Sequence, residues 1–138
     1  MGSPHIPVSL QRRVRERAKS RCEYCRLSQA MQHATFHVDH VWPRHDGGPT
    51  TLENLALACV SCSLRKGDRT FASDPRSGEK VRLFDPRAQA WEEHFSVGKD
   101  FSLTGETPTG RATVMALHMN RPLALEIRAE EARRGRYP

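Results

Sequence analysis

Hydrophobic positions recur along this chain with two periods, and the changes of period mark its elements. In residues 9–20, SLQRRVRERAKS, Leu10, Val14 and Ala18 return every four residues and form the apolar stripe of an amphipathic helix, with Ser9 placed to cap it. The other faces carry Arg12, Arg13, Arg15, Arg17 and Lys19, suited to a phosphate backbone or simply to water. Residues 27–35 are polar and unpatterned and read as a loop, with His33 an ordinary surface histidine. Residues 36–41 alternate apolar and polar positions as a half-buried strand does, and Pro43 ends it. That alternation puts His37 and Asp39 on one face and His40 on the other, so a site shared by Asp39 and His40 requires a local distortion. Residues 44–51, RHDGGPTT, form a loop able to wrap a site, and residues 52–58 read as a second strand. Residues 60–66 then make a short helix stopped by Gly67, with Ser63 and Lys66 on one face.

Past Gly67 the pattern predicts a turn at 74–79, a strand at 81–84 and a hairpin of 91–97 with 101–104, joined at Gly98-Lys99-Asp100. Thr107-Pro108 opens a helix to about residue 118, in which Ala112, Met115, Ala116 and Met119 form a core-facing side. Asn120-Arg121-Pro122 breaks it, and residues 123–134 make a final, charged helix. With no repeat, low-complexity tract or linker, residues 1–138 read as one domain, its core at about 20–70 and a C-terminal extension at about 71–138. Met1-Gly2-Ser3 reads in part as an expression scar.

Composition adds a staple and a partner. All four cysteines fall in two Cys-x-x-Cys pairs, Cys22/Cys25 and Cys59/Cys62, with room between them for a hairpin. Disulfides are the alternative to a metal. The sequence shows no signal peptide and no apolar run of membrane length, so a reducing cytoplasm and zinc are the expectation. Net charge is +6 and the sequence pI about 9.6, which suits an anionic polymer. Residues 1–30 carry seven Lys/Arg against two Asp/Glu and residues 61–90 seven against four, whereas residues 31–60 carry one against three. A basic surround with an acidic centre fits phosphates held around a cation among carboxylates.

Phosphodiester hydrolysis needs a base for water, a cation at the leaving oxygen and donors to hold the phosphate. The central stretch supplies each: His40 as base, Asp39 as a hard oxygen ligand, and Arg44, Arg65, Lys66 and Arg69 as phosphate donors. These residues carry a resemblance. Asp39-His40, then Asn54, then Cys59-x-x-Cys62 followed by Leu64-Arg65-Lys66-Gly67 resembles the HNH endonuclease motif with two zinc knuckles, over roughly residues 20–70. LFDPRAQAWEEHF and TPTGRATVMALHMN resemble the tail of a group of bacterial HNH proteins.

The resemblance implies an α+β fold with a ββα-metal (His-Me finger) core stapled by a four-cysteine zinc site. An N-terminal helix and a C-terminal hairpin plus helices complete it. It also implies that His40 activates water, that Asp39 binds a catalytic Mg²⁺ or Mn²⁺, that Asn54 holds the loop between the strands, and that Cys22, Cys25, Cys59 and Cys62 bind structural zinc. The position after the last cysteine, which is Asn or His in the family and a metal ligand, is Ser63 here. A serine hydroxyl is a weaker ligand, and His37, on the strand face of Asp39, is placed to compensate. The expected function is cleavage of DNA by a metal-dependent endonuclease. The alternatives are a non-catalytic zinc-stapled nucleic-acid-binding module and a protein-interaction domain on the same scaffold.

Overall fold

The computed structural model describes residues 6–138, so Met1-Gly2-Ser3 lie outside the described residues. Helix α1 spans Val8–Arg17 and starts after Pro7, whose carbonyl accepts from the Gln11 amide at 3.0 Å; Ser9 lies inside the first turn and does not cap it. Val14 is fully buried, with Leu10 and Ala18 packed against the same core, as the four-residue repeat requires. Lys19 and Ser20, both at positive φ (55° and 56°), turn the chain into the first cysteine knuckle. Residues 27–35 include one 3-10 turn, Gln29–Met31, whose Ala30 amide donates to the Ser28 hydroxyl at 3.1 Å.

Strand β1, His37–His40, pairs antiparallel with β2, Leu55–Ala58, in the register His37 to Ala58 through His40 to Leu55. The predicted second strand begins three residues late because Leu52–Asn54 forms a 3-10 turn. All four β2 residues are buried. The edge of β2 away from β1 is covered by the first knuckle, where the Glu23 amide donates to the Leu57 carbonyl at 2.8 Å and the Glu23 carboxylate accepts from the Leu57 amide at 2.9 Å. Helix α2, Val60–Lys66, packs on this hairpin and completes a ββα unit within an α+β fold.

The C-terminal extension departs from its pattern in three places. Phe71–Ser73 is a strand, β3, that the sequence does not mark; it pairs with β4, Lys80–Arg82, across the expected turn at 74–79. Residues 91–97 are not strand throughout: Trp91–His94 is a helical turn, α3, and only Phe95–Val97, β5, pairs with Leu103–Gly105, β6. The reason is spacing, since helical geometry places Trp91 and Phe95 on one side, where both are buried with ring centroids 5.1 Å apart. Helix α4, Pro108–Ala116, starts where Thr107 caps the Gly110 amide but ends early, and it leaves Met115 60% exposed, outside the core face assigned to it.

Helix α5, Pro122–Arg133, is charged as expected, yet Arg128 and Glu131 are fully buried. Arg128 donates to the Phe101 and Met119 carbonyls at 2.7 and 2.6 Å. Glu131 accepts from the Ser28 amide at 2.9 Å and pairs with Arg21 at 3.3 Å, while the Tyr137 hydroxyl donates to the Cys25 carbonyl at 2.8 Å. The end of the chain is thus strapped over the first knuckle, and Trp91 adds an indole donor to the Tyr24 carbonyl at 2.7 Å. Replacing Glu131 by Ala strands a buried amide and a cation, so unfolding free energy should fall by about 2–4 kcal/mol. Urea denaturation measures this; Glu131→Gln, still able to accept from Ser28, should lose less.

Candidate functional site

The ligand atoms of Cys22, Cys25, Cys59 and Cys62 lie within 4.8 Å of one another, all buried, and no disulfide joins them. The Cys25 and Cys59 sulfurs are 3.7 Å apart. A tetrahedral zinc with sulfur bonds of about 2.3 Å sets its ligands about 3.8 Å apart, so the spacing fits that ion. Its electrostatics fit too. Burial raises the Cys22 thiol, hydrogen bonding to Cys22 raises that of Cys62, and hydrogen bonds from its neighbours lower that of Cys59. A divalent cation would bind the sulfurs as thiolates and displace the protons they carry.

Because Cys59 is also the N-cap of α2, its sulfur accepting from the Cys62 amide at 3.4 Å, the cluster fixes where that helix begins. The face of α2 bearing Ser63 and Lys66 then covers the face of β1 bearing His37 and Asp39. His37 Nδ1 and Ser63 Oγ are 2.8 Å apart. Lys66 is 5% exposed, and its ammonium donates to the Val41 carbonyl at 3.2 Å. Burial pulls Lys66 below its ordinary value, and Asp39 is the foremost charge opposing that. Below them the Tyr24 hydroxyl is buried without a hydrogen-bond partner among the described residues; burial and then Asp39 push its pKa up.

The register runs without a bulge through His40, so the distortion that a common pocket for residues 39 and 40 would need is absent from the strand. The two side chains instead flank the end of β1. His40 Nε2 lies 2.8 Å from the Thr50 hydroxyl, a partner that nothing in the local sequence marks. Burial, then the nearby Arg44 cation, lowers the His40 pKa against the weaker pull of Asp39, which favours the neutral imidazole.

Thr50 is held in place by the loop between the strands. Asn54, 8% exposed, accepts from the Trp42 amide at 2.9 Å and donates to the Trp42 and Pro49 carbonyls at 3.0 and 2.9 Å. Gly48 permits this closure, since a Cβ there would stand 1.8 Å from the Trp42 carbonyl oxygen.

Of the four predicted phosphate donors, the structure leaves Arg44 and Arg65 exposed near the hairpin and α2. Lys66, expected to meet a phosphate, is instead turned inward, because the helix face it shares with Ser63 packs on the hairpin and its ammonium finds the Val41 carbonyl. Arg69 is exposed, but its guanidinium donates to the Arg65 and Ala116 carbonyls at 2.6 and 3.2 Å, so it ties α2 to α4. The four-cysteine group is the one cluster of three or more ligating His, Cys, Asp or Glu side chains among the described residues. A second ion at Asp39 would therefore keep most of its water, as Mg²⁺ commonly does. His37, its Nδ1 engaged by Ser63, leaves Nε2 as its remaining ring nitrogen.

Residues 22–69 match the family model for HNH endonuclease. No curated protein and no solved structure matches the chain. No described helix is long and apolar enough to cross a membrane. Elemental analysis of the purified protein should find about one zinc per chain. Cys62→Ser should lose the zinc and, in urea, the cooperative unfolding transition of the parent.

Proposed function

Starting from an HNH endonuclease-family domain at residues 22–69, we propose that this protein is a metal-dependent endonuclease that hydrolyses DNA phosphodiester bonds. What supports this reading is that strand alternation, unbroken through His40, sets His40 and Asp39 on opposite faces at the end of β1, beside a loop pinned by Asn54. One linkage lying across that end can reach both without a common pocket. In-line displacement needs the attacking water and the leaving oxygen on opposite sides of phosphorus. A phosphodiester lying across the end of β1 meets the imidazole on one side and the carboxylate on the other.

His40 takes a proton from the attacking water. In the tautomer whose Nε2 hydrogen donates to Thr50 Oγ1, 2.8 Å away, the Nδ1 lone pair is left to accept that proton. Asp39 would hold a divalent ion, Mg²⁺ or Mn²⁺, which would supply positive charge for the leaving 3′ oxygen; hydrolysis in this sense leaves a 3′ hydroxyl and a 5′ phosphate. His37 would be the second residue to hold that ion, through Nε2, with Ser63, 2.8 Å from His37 Nδ1, orienting the ring. Arg44 and Arg65 meet flanking phosphates. The cytoplasm, which keeps thiols reduced, suits the cysteine cluster.

The rival is a zinc-stapled nucleic-acid-binding module without catalysis. What favours it is Ser63, whose hydroxyl is already engaged by His37. Supercoiled plasmid with added Mg²⁺ or Mn²⁺ separates the two readings: nicking supports the enzyme, whereas retardation without nicking supports the module. His40→Ala should lower the nicking rate by about 10²–10⁴-fold at unchanged zinc content; parental activity in that variant ends the assignment. Thr50→Val should slow nicking through a mis-set imidazole while Thr50→Ser restores it. Equal rates for all three residues at position 50 would show that Thr50 does not position His40.

A further inference from the structure

A cleft of about 530 Å³ lies between the end of α1, the first knuckle and the stretch that leads into α3. Its lining carries four cationic side chains, Arg17, Lys19, Arg21 and Arg26, against two carboxylates, Glu23 and Glu92. The carboxylates are already committed. Glu23 is engaged by Arg87 and by the Leu57 amide, and Glu92 pairs with Arg26 at 3.1 Å.

Two of the cations are paired with carboxylates, Arg21 with Glu131 at 3.3 Å and Arg26 with Glu92, which leaves the excess charge of the cleft on Arg17 and Lys19. Arg17 donates to the Leu52 and Leu55 carbonyls at 2.7 and 2.6 Å, and Arg87 donates to the same Leu55 carbonyl at 3.2 Å. Two guanidinium groups thus converge on one oxygen, and the Arg17 pKa is lowered by burial and next by Arg87. Arg26 lies over the Trp91 ring, 4.5 Å from its centroid. Lys19, exposed, makes no ion pair among the described residues and is carried on the positive-φ turn at the mouth of the cleft. Excess positive charge on a rigid concave surface is the condition under which an anion binds with little reorganisation.

Its position relative to the strands argues for which anion. Leu57 bonds to Glu23 on the edge of β2 away from β1, and Leu55, two residues along, presents its carbonyl on that same edge. Leu55 is also the cross-strand partner of His40. Through Arg17, one wall of the cleft is tied to the far edge of the strand that pairs with the end of β1. We propose that this cleft is a second nucleic-acid contact that holds backbone phosphates of the strand flanking the reacting linkage. The assignment rests on the reading above only in taking nucleic acid as the partner.

The test is fluorescence anisotropy of a labelled DNA duplex, titrated in the His40→Ala background over a range of salt. Lys19→Glu should weaken binding about tenfold and reduce the slope of log K against log salt by about one. Lys99→Glu, the same charge change at the β5–β6 turn, should stay within about twofold of its parent. Arg26→Gln should also weaken binding and shift the emission of Trp91 in a Trp42→Phe background. Equal weakening by Lys19→Glu and Lys99→Glu, or weakening by neither, overturns the proposal. Loss of affinity in Lys19→Glu with a plasmid left intact by the unmodified protein sustains the cleft and removes the nuclease. Nicking by the unmodified protein with normal affinity in Lys19→Glu does the reverse.

Discussion

Four cysteine sulfurs drawn together hold elements that could not stand by themselves. β1 and β2 have four residues each and α2 has seven, lengths at which an isolated hairpin or helix is unstable in water. Cys22 and Cys25 come from the knuckle that covers β2, whereas Cys59 and Cys62 lie at the start of α2, so the cluster joins all three at one point. A structural zinc contributes on the order of 10 kcal/mol, comparable with the whole net stability of a typical domain at about 5–15 kcal/mol. A staple of that size would add to the core that Val38 and the four buried β2 residues already supply.

The C-terminal extension secures the staple from outside. Buried Glu131 and the Tyr137 hydroxyl bond to the knuckle backbone, and the Trp91 indole reaches the Tyr24 carbonyl. Each contact satisfies a main-chain group that the tight cysteine turn would otherwise leave without a partner. The knuckle is thereby held at the cysteine cluster on one side and by hydrogen bonds on the other, and Glu23 is kept in register along β2. On the far face of the hairpin, the same order of burial places Lys66 and Tyr24 behind Asp39, in the low-dielectric surroundings where a carboxylate and an ammonium influence one another most.

Much of this was legible along the chain. The stripe of α1, the strand ended by Pro43, the Thr107-Pro108 helix start and the paired thiols all depend on neighbours a few residues apart, and each appears close to its predicted position. Asn54 makes three hydrogen bonds to the Trp42 and Pro49 backbone, a grip on its loop that only the tertiary structure displays. The misread elements share a cause. Trp91–His94 is a helical turn because Trp91 and Phe95 pack together, and β3 exists because β4 is there to pair with it.

The sequence by itself determined which ligating and titratable residue types stand at the centre, because thiol pairs, an adjacent carboxylate and imidazole, and a distant asparagine are set by residue type and separation. Only the tertiary structure decided where the long cations point. Lys66 turns inward to the Val41 carbonyl, Arg69 ties α2 to α4, and Arg17 joins Arg87 on the Leu55 carbonyl. A flexible charged side chain is directed by whichever acceptors the fold brings within its reach, and those acceptors are main-chain carbonyls from remote segments that carry no signature in the sequence.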